Sequence, residues 1–201
     1  MIGGTPPPRA DRLPPLPAVL RRDALAPRYL EAVGTSDHRK AAATATGAAE
    51  AAVQARSWWV ADAWAHRALW HFERAEMGLA ATRAARRIGD IRVAGGDPVS
   101  ARRYYAEAIS EARDIGAERE EGLAALGLGR AELDRGDVTT ARRLAGIAET
   151  LLASASAPAA ELEAARALRG VEKSVGQGAA GDAATQERTG DERVVSGETN
   201  G

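Results

Sequence analysis

The stretches GGDPVSARRYYAEA (Gly95–Ala108) and RGDVTTARRLAGIA (Arg135–Ala148) share one core, Gly-Asp-x-x-x-Ala-Arg-Arg, placed forty residues apart. A recurrence at that distance marks a structural repeat before it marks a reactive centre. Each shared position has a backbone or packing reason. Gly96 and Gly136 permit the left-handed backbone that ends a helix. Asp97 and Asp137 then cap the next helix by accepting its free N–H groups, and Pro98 supplies the fixed φ of a first helical turn. Ala101 and Ala141 lie where only a small residue fits between two helices. At the same offset Gly89 falls on Gly129, Val93 on Leu133 and Ala108 on Ala148. Both glycines follow a large apolar residue and leave room for a partner helix.

Working outward, helices are predicted at about 36–56, 57–77, 79–94, 98–115, 118–134, 138–155 and 159–175. The breaks fall at Gly78, Gly95-Gly96, Gly116, Gly136 and Pro158, residues that end helices. Loops this short force neighbouring helices antiparallel. One offset upstream, Ala61 and Ala68 fill the small-residue positions; downstream the pattern dissolves, and 159–175 reads as a capping helix. Three segments result. Residues 1–34 are Pro-rich and mostly disordered, with a short helical piece at Ala26–Val33; 35–175 is a helical repeat domain; 176–201 is a Gly- and charge-rich disordered tail.

Composition bounds the function. The 201 residues carry 27 basic and 28 acidic side chains, so the net charge of −1 gives no general attraction to nucleic acid or anionic membrane. There is no cysteine, which excludes disulfides, thiolate metal sites and cysteine nucleophiles. No apolar run approaches the ~20 residues of a membrane span, and the N-terminus lacks signal-peptide order. A cytoplasmic location is the expectation. All but two of the basic residues are Arg, a bias that suits a bacterial genome of high GC content.

The paired units resemble the tetratricopeptide repeat family (TPR). There a helix with a Leu-Gly pair is followed by a Gly-Asp turn. A second helix then carries Ala, an aromatic and Ala, as at Ala101, Tyr105 and Ala108. In the second unit Ala145 stands where the aromatic is expected, neither unit has the usual Pro after its second helix, and the period exceeds the common ~34 residues. The likeness is therefore to an elongated bacterial variant, and covers residues 79–155 best. It implies an all-α fold in which antiparallel helix pairs stack as a short right-handed superhelical array, an α-solenoid. It also implies a non-catalytic adaptor that grips a protein or peptide segment, acidic in character, on its concave face. By register the groove residues are Arg83, Arg86 and Asp90 in one unit, and Leu126, Arg130, Leu133 and Asp134 in the next. The three arginines would clamp carboxylates in bidentate fashion. Solvated arginines on a wet face are the alternative.

The helix 57–77 is the second candidate site. It holds all four tryptophans, Trp58, Trp59, Trp64 and Trp70, with Phe72, His66 and His71. These residues fill the core, or form a dimer interface, or line a pocket for a small effector molecule. Trp59, Ala63, His66 and Trp70 share one helical face. His66 and His71, five apart, do not share one, so no zinc pair is formed. His38 reads as a solvated helix start, and Glu118, Glu120 and Glu121 as ordinary complements of a helix dipole. The Arg102-Arg103 and Arg142-Arg143 pairs read as outward-facing. No catalytic constellation, cofactor motif or metal site is expected.

Overall fold

The structure, a computed structural model, describes residues 13–171. Within them lie a 3-10 turn at Leu20–Arg22 and eight α-helices: α1 (Ala26–Gly34), α2 (His38–Gln54), α3 (Trp58–Arg74), α4 (Gly78–Ala94), α5 (Pro98–Asp114), α6 (Glu118–Asp134), α7 (Val138–Ser154) and α8 (Ala159–Arg169). The helices of α2 to α7 are each 17 residues long. Their first residues, His38, Trp58, Gly78, Pro98, Glu118 and Val138, recur at a constant pitch, half of the forty-residue repeat.

One turn geometry sets this pitch. In each turn a residue takes positive φ: Ser36, Arg56, Glu76, Gly96, Gly116, Gly136 and Ser156. The N–H of the residue after it returns to a carbonyl five residues back, as in Asp37 to Ala32 (2.9 Å), Asp97 to Arg92 (2.8 Å) and Asp137 to Glu132 (2.9 Å). This is the Schellman closure of a helix C-terminus. From α1 to α7 the same residue is the N-cap of the following helix; after α7 the bond is made by Ala157 and the N-cap is Pro158. Asp37, Asp97 and Asp137 accept the N–H groups of Lys40, Ser100 and Thr140. Those bonds hold the Asp97 and Asp137 carboxyls below their ordinary pKa. One residue thus closes a helix and opens the next.

The glycine rule misplaced one boundary. The helix read as 57–77 and stopped by Gly78 ends at Arg74, its turn passes through Glu76, and Gly78 is the first residue of α4. The Schellman closure admits Ser, Arg or Glu in left-handed conformation at a cost of roughly 1 kcal/mol each, so the turn needs no glycine to form. Ser57 is the N-cap of α3, but its side chain makes no capping bond. The last helix ends at Arg169 rather than 175, with Gly170 as its C-cap.

The helices pair as α2–α3, α4–α5 and α6–α7, and each pair packs on the next; α4 also touches α6, and α6 touches α8. The fold is an all-α helical repeat array. Its packing positions are those of the repeat. Ala61, Ala101, Ala141, Ala68, Ala108 and Ala148 are all buried. Tyr105 enters between α4 and α6: a Cβ on Gly89 would come within 2.7 Å of its ring, and one on Gly127 would meet the same ring still closer. The phenol donates to Asp90 (2.9 Å), and burial pushes its pKa up. Where Ala145 replaces the tyrosine, Leu168 of α8 takes the space, 2.9 Å from a Cβ on Gly129. The first arginine of each Ala-Arg-Arg ties its helix to the next one. Arg102 pairs with Glu132 of α6 (2.5 Å), and Arg142 donates to the carbonyl of Arg169 at the end of α8. These arginines do not simply face outward.

The N-terminal segment is ordered from residue 13, unlike the mostly disordered reading. Leu16 and Leu20 are buried, as are Ala26, Tyr29 and Ala32 of α1, all in one core with α2 and α3. The prolines there punctuate the chain without preventing these side chains from docking. Residues 1–12 and 172–201, including the tail read at 176–201, lie outside the described residues.

The substitution Gly127→Ala is expected to lower the unfolding free energy by about 1–3 kcal/mol, the usual cost of overpacking. In a Tyr105→Leu background the same change should cost measurably less. Urea titrations of the four proteins read both effects.

Candidate functional site

The first helices α2 and α4 leave a groove between them, about 380 Å³ in volume, whose floor is α3. The floor is apolar and small-featured: Ala65, Ala68 and Phe72, flanked by Ala49 of α2 and Ala80 and Ala84 of α4. Its rim is basic, with Arg83, Arg86 and Arg87 of α4. Their spacing puts all three on one face of α4, of which the sequence register finds Arg83 and Arg86 and misses Arg87.

The rim arginines are already engaged. Arg83 Nε lies 2.7 Å from Glu120 Oε1 on α6. Arg86 pairs with Asp90 one helical turn on (2.9 Å) and stands 3.7 Å from Glu120. Arg87 reaches Glu50 across the groove at 3.7 Å. The Arg83–Glu120 pair is asymmetric, for the arginine side chain is 53% exposed and the carboxylate 5%. The buried member holds the exposed one in place while the outer N–H groups of the guanidinium still face solvent.

Of the other register positions, Arg130 and Asp134 are exposed and Leu133 is half-buried. Leu126 is buried in the core that α6 forms with α7 and α8, so it cannot touch a partner. The register argument fails there because Gly127 and Gly129 draw α6 close to its neighbours and turn that strip of the helix inward. The glutamates read as dipole complements are structural instead. Glu120 and Glu121 are buried, the first under Arg83 and the second paired with Arg113 (2.5 Å).

The four tryptophans separate. Trp64 is fully buried, Trp59 is exposed, Trp58 packs its Cβ against Gly95 at the end of α4, and Trp70 lines a cleft at the N-terminal end. They form neither one core nor one pocket. The buried face of α3 runs through Trp64, Arg67 and His71, while Trp59 is exposed and His66 half-buried.

That face holds the N-terminal segment by polar bonds. Trp64 Nε1 donates to Asp23 (3.1 Å). Arg67 Nη2 donates to the carbonyls of Pro14 (3.1 Å) and Pro15 (3.2 Å). His71 Nε2 lies 3.0 Å from the Tyr29 hydroxyl, and its Nδ1 lies 2.9 Å from Nδ1 of His38. With both rings neutral, a run from Tyr29 O–H to His71 and from His71 N–H to His38 satisfies each member. His38 is therefore a partner in a network and not a solvated terminus. His66 goes elsewhere, to the Tyr104 hydroxyl on α5 (2.8 Å).

Burial, then His38 and Arg67, lower the His71 pKa to about 4; Tyr29, whose own pKa burial raises, is the remaining titratable group against it. Burial likewise lowers that of Arg67. On α3 and α5 the carboxylates of Glu73, Glu107 and Glu111 gather within 4.8 Å of one another, and each is also engaged by other groups. Among the described residues no helix is long and apolar enough to cross a membrane.

No protein-family model matches the chain, and no curated protein matches it significantly.

The folded pKa of His71 lies below the ordinary value of 6.5. Between these values the unfolded chain takes up a proton that the folded chain does not. Stability attributable to this ring is therefore complete above about pH 6.5 and falls as the pH drops toward 4, by up to about 3 kcal/mol. Urea midpoints across that window should fall more steeply for the wild type than for His71→Gln; parallel curves would refute this role.

Proposed function

We propose that the chain is a TPR-like, non-catalytic adaptor of the cytoplasm, which takes a segment of a partner protein into the groove between α2 and α4. The observation that carries this reading is the groove's composition, an alanine and Phe72 floor beneath a rim of three arginines. An alanine-lined floor admits large side chains from a partner, since the groove has no bulk of its own to displace. The helices are fixed by their turns and by one another, so binding orders mainly the partner.

The rim selects by charge. A partner carboxylate can share the exposed guanidinium of Arg83 while Glu120 keeps it in position, a preorganised acceptor site whose conformational cost is met on folding. The segment expected is short and acidic, with one or two large apolar residues to fill the space above Ala68 and Phe72.

Peptide display on the immobilised protein tests this directly. Selected peptides should combine an apolar anchor with flanking Asp or Glu, and weaken as salt is raised. An Ala84→Trp variant, which fills the groove from a half-buried position, should lose them by at least tenfold. An Arg83→Glu/Arg87→Glu variant should lose the acidic preference and keep the apolar one. If selections on wild type and Ala84→Trp yield the same peptides with the same affinity, the groove is not the binding site.

A further inference from the structure

We propose that the cleft between α1, α3 and the N-terminal segment binds a small organic carboxylate with an apolar, ring-bearing body. This site is on the opposite side of α3 from the peptide groove and is independent of it, since Arg67, Trp70 and His71 line the one and Ala65, Ala68 and Phe72 the other.

The charge of the cleft is the first argument. It measures about 620 Å³ and its wall includes Arg21 and Arg67, with His38 and His71, but no Asp or Glu. In a chain whose acidic residues outnumber its basic ones, a wall of this size without a carboxylate leaves its positive charge uncompensated among the described residues. Arg67 is the sharper case. It is 5% exposed, and a buried cation is ordinarily paired with an anion. Among the described residues its acceptors are neutral, the carbonyls of Pro14 and Pro15 with the Tyr29 hydroxyl beside them, and its buried Nε–H meets no acceptor there. Arg21 is held in the wall by its own bond to the Leu16 carbonyl (2.8 Å), and no carboxylate of the described residues pairs with it.

The rest of the wall describes the ligand's body. Leu30 and Val33 of α1 are 47% and 43% exposed, an unusual pair of bare aliphatics facing the opening. Opposite them the Trp70 ring meets His71 and His38 edge-on, at 4.8 and 5.6 Å between centroids, forming a fixed aromatic side. A volume within the ~300–1,000 Å³ usual for small-molecule sites, apolar walls and a few convergent polar groups are the general marks of such a site. A carboxylate suits the polar end because a guanidinium presents a planar fork to it.

Calorimetric titration of the full chain at pH 7.5 with 2-naphthoate and with 2-naphthamide, equal in shape and different in charge, tests the proposal. The acid should bind at submillimolar concentration and the amide at least tenfold more weakly. Arg67→Gln should abolish that preference. Because Arg67 also secures the N-terminal segment, a second variant is needed; Val33→Trp blocks the opening from an exposed position and should lose both ligands with its circular dichroism unchanged. Ala84→Trp, in the peptide groove, should bind 2-naphthoate like the wild type. Equal binding of acid and amide, no binding of the acid at millimolar concentration, or unaltered binding in Val33→Trp would each overturn the assignment.

Discussion

A single backbone hydrogen bond, from the last residue of each turn between α1 and α7 to a carbonyl five residues behind it, governs the array. The donor of that bond is also the N-cap of the next helix, so the end of one helix and the start of the next share a residue. With only three residues between helices, no freedom remains to vary the reversal. Identical reversals demand helices of equal length, because a longer one would carry its successor out of register with its neighbours. Equal helices in register in turn place the same helical positions at every crossing. The alanines recur there because the spacing between axes is set by the turns, and a larger side chain would have to force it open. Where the crossing is closest, glycine replaces alanine, and Tyr105 uses the space left by Gly89 and Gly127.

The two ends of the array meet a different problem. An interior helix buries one side on the pair before it and another on the pair after. At the C-terminal end α8 supplies Ala165 and Leu168 to the core, packs Leu162 and Ala164 at its edge and exposes its other face, the ordinary solution for a terminal helix. At the N-terminal end the covering segment is α1 with an extended run of prolines, which has carbonyls but few N–H groups to offer. A face that binds such a segment needs donors. Trp64, Arg67 and His71, at positions i, i+3 and i+7 of α3, are three side chains with N–H groups on one strip, and two of them donate to the segment. A proline-rich cover thus accounts for a buried arginine in α3.

These relations explain which features the sequence discloses. The repeat was legible because Gly96, Asp97 and Ala101 act through backbone conformation, capping and size, each a local effect that one residue type satisfies best. The break at Arg56-Ser57 was read in place, but the left-handed turn at Glu76 was not legible, since the closing bond is made by the backbone and leaves the side chain free. Nor was the division of the tryptophans. A helical wheel gives relative directions, but the direction of the core depends on what covers α3, and that covering segment reads as disordered by composition alone. The apolar residues that order it, Leu16 and Leu20, are four apart among prolines and too few for a pattern. Arg83 and Arg86 were found by register, whereas their ion pairing depends on Glu120, 37 residues beyond Arg83 and indistinguishable in sequence from a helix-dipole charge.

That last pairing decides how the groove discriminates. A lone surface arginine gains little from meeting a carboxylate, because immobilising the side chain offsets most of the attraction. Arg83 is already immobilised by a glutamate that is itself buried and cannot follow solvent, so an incoming carboxylate meets a guanidinium at fixed position. The same glutamate reduces the net charge the groove displays, weakening long-range attraction to any acidic surface. Charge in this groove therefore acts at contact distance and selects by geometry. The free energy of association must come chiefly from apolar side chains covering Ala68 and Phe72, in a space that the small residues of the repeat leave open.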